Sequence, residues 1–327
     1  MPSVRATKAK PRMPARNGVR RPDLRPPKPA AKPLRPKQSL AEAATTIATD
    51  AVAMLLTCWQ EALAHNSAER VHKLRVSLRQ LRVVLRVFSR ADKAGQLQQL
   101  QRDLGALARQ AGRQRDLDVM LEVMVRPLHQ AGPSVDLNTL LDALERARER
   151  AQQTFATELG GAEAVTLHRQ VQSLPAHLSS GFKADAKDAR IGKWARRNLR
   201  RRWRNLKRQA GNFEALDAHE MHEMRKSLKK MRYAFELFRS FWPKDVGNTF
   251  LKRTQKLQST FGYLNDVENA KSLEQWLGAA GRERQLERAI GFVTGVHTER
   301  AQNARRKIAR QWRKLCATEI AHALSGH

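Results

Sequence analysis

The sequence predicts an all-α protein in which a helical bundle occurs twice. Three observations predict it. From Ser39 onward prolines are sparse (Pro127, Pro133, Pro175, Pro243), and apolar residues recur at helical rather than alternating spacing. His72, Arg75, Arg79 and Arg82 return 150 residues later as His222, Arg225, Lys229 and Arg232, with each cation at the same distance from its histidine. At the same offset Leu107, Gly112 and Asp116 match Leu257, Gly262 and Asp266, and Glu149-Arg150-Ala151-Gln152 matches Glu299-Arg300-Ala301-Gln302. Several independent matches at one offset exceed what biased composition produces, so an internal duplication is expected. Related halves usually pack about a pseudo-twofold axis, which would bring the two histidine helices towards a shared cavity.

Residues 1–38 read as a disordered basic tail. They hold nine of the 13 prolines and twelve Lys or Arg against one acid, Asp23. Proline stops helix continuation and the charge opposes collapse. Helices are predicted near 40–64, 68–90, 93–112, 116–131, 136–158 and 161–174. A Ser/Gly/Pro-containing break at 175–184 separates these from helices near 186–210, 216–242, 245–262, 266–280 and 282–320. The expected domain is 39–320, divided into repeats at 39–174 and 185–320, with 321–327 as a C-terminal end.

Lys plus Arg number 62 against 31 Asp plus Glu, a net charge of +31. Removing the tail still leaves the body at +20 (50 cations, 30 acids), so the excess is not a tail property. Such a field draws in polyanions without saying which. The two cysteines, Cys58 and Cys316, form no CxxC and no disulfide framework, which suggests a reducing compartment. The longest apolar stretch, Ala51 to Leu56, falls far short of a bilayer span of about 20 residues, and the amino terminus lacks a signal core. A soluble, cytoplasmic protein with no membrane partner is expected.

On a helix, His72, Arg75, Arg79, Arg82 and Arg86 fall within an arc of roughly 80°, opposite Leu74, Leu78, Leu81, Leu85 and Phe88. The stripe is about 21 Å long. Arginine suits phosphate because its planar fork makes bidentate, permanently charged hydrogen bonds. A lone basic helix is ordinarily a solvated face, but this stripe lacks interleaved acids and is repeated. The second copy differs in detail: Lys229 replaces a guanidinium with a point charge, Glu236 stands where Arg86 does, and Lys226 and Lys230 add charge at the margin. With Glu236 there, this stripe either ends earlier or is closed by an ion pair.

Each histidine stands among arginines, without the carboxylate or cysteine cluster a metal needs, so no metal is assigned. A histidine near its reference pKa of ~6.5 would strengthen anion binding at mildly acidic pH. Asp116 and Asp266 follow predicted helix ends, where they would cap the next helix, orient stripe arginines, or both. Residues 193–208, including Arg197, Arg200, Arg201 and Arg204, contain no acid; nor do residues 300–314, including Arg305 and Arg306. Both helices are expected to widen the basic site. Trp194, Trp203 and Trp312 among these cations would stack bases or, as their helical spacing favours, pack in the core.

The repeated H-x-x-R-x-x-x-R-x-x-[LR]-R segment, followed by "RDLD" at 115–118 and "LNDVENA" at 264–270, resembles the CHAD domain, the conserved histidine α-helical domain. The resemblance covers about residues 40–320. It implies two pseudo-symmetric antiparallel helical bundles around a central basic groove or pore. It also implies binding of inorganic polyphosphate, often at polyphosphate granules. By motif it implies His72, Arg75, Arg79, Arg82, His222, Arg225, Lys229 and Arg232 as ligand contacts. CHAD domains are often fused to a triphosphate-tunnel (CYTH) enzyme. Nothing in this sequence resembles that partner, so its enzymatic role is not inherited.

The expected function is therefore non-enzymatic binding of inorganic polyphosphate, without a cofactor. An RNA- or DNA-binding protein is the alternative: the charge permits it, but no nucleic-acid motif or aromatic platform is visible. An enzyme ranks third, since no nucleophile–base pair, phosphate loop or metal cluster is visible, although Asp116 and Asp266 stand where they would assist hydrolysis.

Overall fold

The computed structural model describes residues 34–211, 216–277 and 283–326. The first half of the chain forms α1 (Leu40–Ala64), α2 (Ala68–Phe88), α3 (Gln96–Val119), α4 (Arg126–His129), α5 (Asn138–Gly160), α6 (Ala162–Ser180) and α7 (Ala184–Lys187). The second half forms α8 (Ile191–Gln209), α9 (Ala218–Leu237), α10 (Lys244–Ala270), α11 (Leu273–Leu277), α12 (Arg284–Arg305), α13 (Ile308–Cys316) and α14 (Glu319–Ser325). The described residues form no strand, only two isolated bridges, so the fold is all-α as the sequence predicts.

Local signals set the starts of the important helices. Ser39 and Glu42 form a capping box at α1, and Asp217 and Glu220 form another at α9. Ser67 caps α2 by accepting the Arg70 amide. The histidine helices α2 and α9 begin 150 residues apart, and each is held by the apolar face expected of it. Leu74, Leu78, Leu81, Phe88, Met224, Leu228, Met231 and Phe238 are all fully buried.

Three expectations are corrected here. The predicted breaks at 113–115 and 263–265 do not exist. Helix α3 runs unbroken through Asp116 and passes into a π-helical turn at Met120–Val125, while α10 runs unbroken through Asp266. The π turn precedes Pro127, which has no N–H for the carbonyl of Val123 and whose ring crowds that turn; widening the helix accommodates both. Secondly, Pro175 does not end α6, which continues to Ser180. Thirdly, the tail boundary lies earlier than 38. Leu34 is buried, and the carbonyls of Pro36 and Gln38 accept the amides of Gly192 and Ile191. Residues 1–33, and the part of the predicted 266–280 helix beyond Leu277, lie outside the described residues.

The apolar interior falls into two clusters, and neither coincides with one half of the sequence. The larger joins α1, α2, α3 and α6 to α8, α9, α10, α13 and α14, with Trp59, Phe88, Trp203, Phe235 and Phe250 among its largest fully buried side chains. The smaller joins the π turn and α5 to the end of α10, α11 and α12. Helix α1 is long and apolar enough to cross a membrane by length and composition, contrary to the reading based on continuous runs. Its Leu40, Ala44, Ala48, Leu55 and Trp59 are buried in the larger cluster, where it packs on α2 and α6.

Candidate functional site

Helices α2 and α9 pack against each other with their basic stripes converging. Arg79 Nη1 donates to the Tyr233 hydroxyl across the two helices at 2.8 Å. Arg232 lies over the Tyr233 ring, 4.3 Å from its centroid, so one aromatic side chain receives a cation from each half. Asp116 lies within electrostatic reach of Arg75 on α2 and of Arg225 and Lys229 on α9. Lys229 in turn feels Arg225, Arg79, Asp266 and Arg75. Residues 150 positions apart in sequence therefore form one cluster in which cations outnumber carboxylates.

The electrostatic consequences are large. Burial, and then neighbouring arginines led by Arg79, depress the Arg75 guanidinium to about 10. Lys229 is pushed well below its usual value by burial and then by Arg225. Burial raises the Asp116 carboxyl, although the cations around it pull the other way. His72 is lowered to about 4 by burial and then by Arg115, Arg75 and Arg79. This corrects the expectation for His72, which is neutral at mildly acidic pH in the free protein. Both its ring nitrogens are buried without a hydrogen-bond partner among the described residues. His222 differs: its Nδ1 lies 3.0 Å from Asn265 Oδ1.

Glycines on α3 make room for the first stripe. A Cβ at Gly105 would stand 2.9 Å from Arg82 Nη2, and one at Gly112 would stand 3.2 Å from Arg75 Nη1. Arg75 Nη1 also donates to the Ala111 carbonyl at 2.6 Å, which fixes its guanidinium against α3. The Arg82 Nε is buried without a partner among the described residues.

Not every expected cation is presented alike. Arg232, 3 % exposed, pairs with Glu236 at 2.8 Å, so the second stripe is closed by an ion pair there. Burial outweighs Arg232 and holds the Glu236 carboxyl at about 6. Lys226 pairs with Glu223 at 2.7 Å on the surface. Asp116 and Asp266 cap nothing, because both stand inside unbroken helices; that part of the expectation is corrected, while their place among the stripe cations remains.

At its far end the first stripe meets α8. Arg86 and Arg90 act on Arg202, which burial and Arg201 hold at about 10, and Arg86 also acts on Lys230. A cavity of about 660 Å³ there is lined by Arg201, Arg202, Arg204, Asn205, Arg208, Ser227 and Lys230. Arg202 and Arg115 were missed at the sequence level. Arg202 is hidden in a run of arginines whose facing only packing assigns, and Arg115 lies beyond the repeated motif. Arg197 and Arg200 line a different cavity, described below, and Arg204 lies between the two and lines both. Arg305 donates to the Leu216 carbonyl just before α9, and Arg306 is exposed in the turn after α12. Trp203 and Trp312 stack with centroids 5.5 Å apart and pack in or against the core, as their spacing favours, and Trp194 is partly buried against the same cluster.

The fold and this cluster define a helical protein with a concentrated polycationic centre. The chain belongs to the CHAD-domain family, whose model matches residues 46–273. The fold is similar to the crystal structure of the CHAD domain from the plant Ricinus communis: TM-score 0.74 and 23 % identity, covering 90 % of this chain and 97 % of that one. It is also similar to PptA from Streptomyces chartreusis: TM-score 0.65 and 16 % identity, covering 84 % of this chain and 100 % of that one. No curated protein matches the chain.

Proposed function

We propose that this chain binds inorganic polyphosphate without transforming it. The polymer lies along the converged stripes of α2 and α9, contacting His72, Arg75, Arg79, Arg82, Arg86, His222, Arg225 and Lys229, and continues past Arg201 and Arg202. The observation that carries this reading is the cation cluster itself, drawn from both halves and short of balancing carboxylates. A chain of linked anions relieves repulsion at every residue it touches, whereas a single phosphate relieves one or two. Buried polar atoms without partners, such as the His72 ring nitrogens, call for a functional explanation, and phosphate oxygens accept from both once the ring is an imidazolium. Membership of a family associated with polyphosphate binding supports the same reading.

Asp116 and Asp266 act as orienting residues, keeping stripe cations aligned between ligand encounters. The repeated motifs, and the start of α2 and α9 at equivalent positions, support an ancestral duplication as the origin of the paired stripes. Granules rich in polyphosphate are the cellular setting this chemistry suits.

Calorimetry with defined-length polyphosphate, in parallel with RNA of equal charge, tests the proposal. Tight polyphosphate binding that weakens steeply with salt is expected, by analogy with counterion release from other polyanions. Replacing Arg75, Arg79, Arg225 and Lys229 together by Ala removes it. A preference for RNA, or binding indifferent to salt, overturns the reading. Phosphate release on incubation with polyphosphate and magnesium overturns its non-enzymatic part.

A further inference from the structure

We propose that a second cavity, on the outer side of α8, binds a nucleoside triphosphate. It measures about 670 Å³, within the range of small-molecule sites. Its chemistry differs from that of the stripes. Ala195 and Leu199 of α8 with Phe241 and Trp242 give it an apolar wall, and the cations stand around that wall. Lys193, Arg196, Arg197, Arg200 and Arg204 come from α8, while Lys37 and Arg190 come from the segments before α1 and α8; no carboxylate lines the cavity among the described residues.

The aromatic wall is fixed from behind. Phe241 stacks on Phe238, centroids 5.9 Å apart, and Trp242 leans on Phe235 at 6.1 Å. Each ring is thus held in the core on one side while lining the cavity with the rest of its surface. The part of the lining that comes from the segment before α1 also depends on a specific contact. Gly192 donates to the Pro36 carbonyl at 3.0 Å, and a Cβ at 192 would stand 2.9 Å from that oxygen. Glycine therefore lets Pro36 and Lys37 lie close against α8.

Inorganic polyphosphate has no group that gains from an apolar aromatic wall. A nucleobase does, and a triphosphate attached to it supplies charge for the arginines beside it. A cavity of this size suits one nucleotide better than a strand, so a free nucleoside triphosphate is the ligand class. The site is separate from the stripes: none of the stripe residues lines it.

Calorimetry on the full chain distinguishes the possibilities, using ATP, inorganic tripolyphosphate and a ten-nucleotide RNA at one ionic strength. ATP is expected to bind about tenfold or more tightly than tripolyphosphate, the difference a stacked base contributes. Trp242→Leu and, separately, the surface change Arg196→Glu are expected to weaken ATP by about tenfold or more while leaving long-chain polyphosphate binding intact. The second variant keeps the test decisive if the first fails to fold. Arg75→Ala with Arg79→Ala is expected to do the reverse. Equal affinity for ATP and tripolyphosphate, tighter binding of the RNA than of ATP, or loss of ATP binding in the Arg75/Arg79 variant overturns the inference. Failure of polyphosphate binding by the unaltered chain bears only on the stripes.

Discussion

At the scale of single residues, His72 couples the cluster to pH. Its folded value of about 4 lies below the ~6.5 of an unfolded histidine, so the unfolded chain holds more protons between those limits. The stability this represents is fully present above about pH 6.5 and is lost as pH falls towards 4. Its size is on the order of 1–2 kcal/mol once solvent screening of the half-buried ring is allowed for. Thermal denaturation of His72→Gln against the unaltered chain between pH 7 and 4 is expected to show this slope flattened. A bound polyanion favours the imidazolium, so polyphosphate affinity is expected to rise as pH falls through the same window, and less so in the variant. Gly105 offers a second test at this scale. Ala there meets only the flexible end of Arg82, while a helix interior favours Ala over Gly by up to about 1 kcal/mol. Gly105→Ala is therefore expected to melt no lower than the parent but to bind polyphosphate several-fold more weakly.

At the scale of elements, the two histidine helices are alike in pattern and unlike in what holds them. In α2, burial and then Arg86, Arg109 and Arg79 lower Arg82, while burial lowers Arg86. In α9, Arg232 is neutralised by Glu236 and rests on Tyr233, whose hydroxyl accepts from Arg79. The pair thus anchors one helix and braces a ligand-facing arginine of the other. Glu236→Ala strands a buried guanidinium, and urea denaturation is expected to show a loss of about 3 kcal/mol. Tyr233→Phe keeps the ring but removes the acceptor, and is expected to weaken polyphosphate binding with little change in melting temperature.

At the scale of the whole molecule, the interior is divided across the repeat rather than along it. His297 of α12 shows how the parts are joined. Its Nε2 donates to the Met124 carbonyl of the π turn at 2.9 Å, and its Nδ1 accepts from the Tyr263 hydroxyl at 2.9 Å. One buried imidazole therefore ties α10 and α12 to the irregular turn in the first half. Burial lowers its pKa, in keeping with a neutral ring. His297→Leu leaves a buried carbonyl and a hydroxyl unmatched and is expected to cost about 2–3 kcal/mol in chemical denaturation, with a single cooperative transition.

The amino-acid sequence alone determined the helical class, the chain positions of the stripes and the face each stripe helix buries. These are local properties: periodicity places Leu74 and Leu78 opposite Arg75 and Arg79, and Ser67 and Asp217 start their helices wherever the rest of the chain lies. The continuity of helices past Asp116, Asp266 and Pro175 was not legible in this way, because packing on α5, α12 and the larger core outweighs weak local stop signals. Only tertiary structure decided which cations meet. Arg200 and Arg202 are two residues apart on one helix; Arg202 faces Arg86, while Arg200 reaches the cavity beside Trp242. Charge acts through space, and the fold sets those distances.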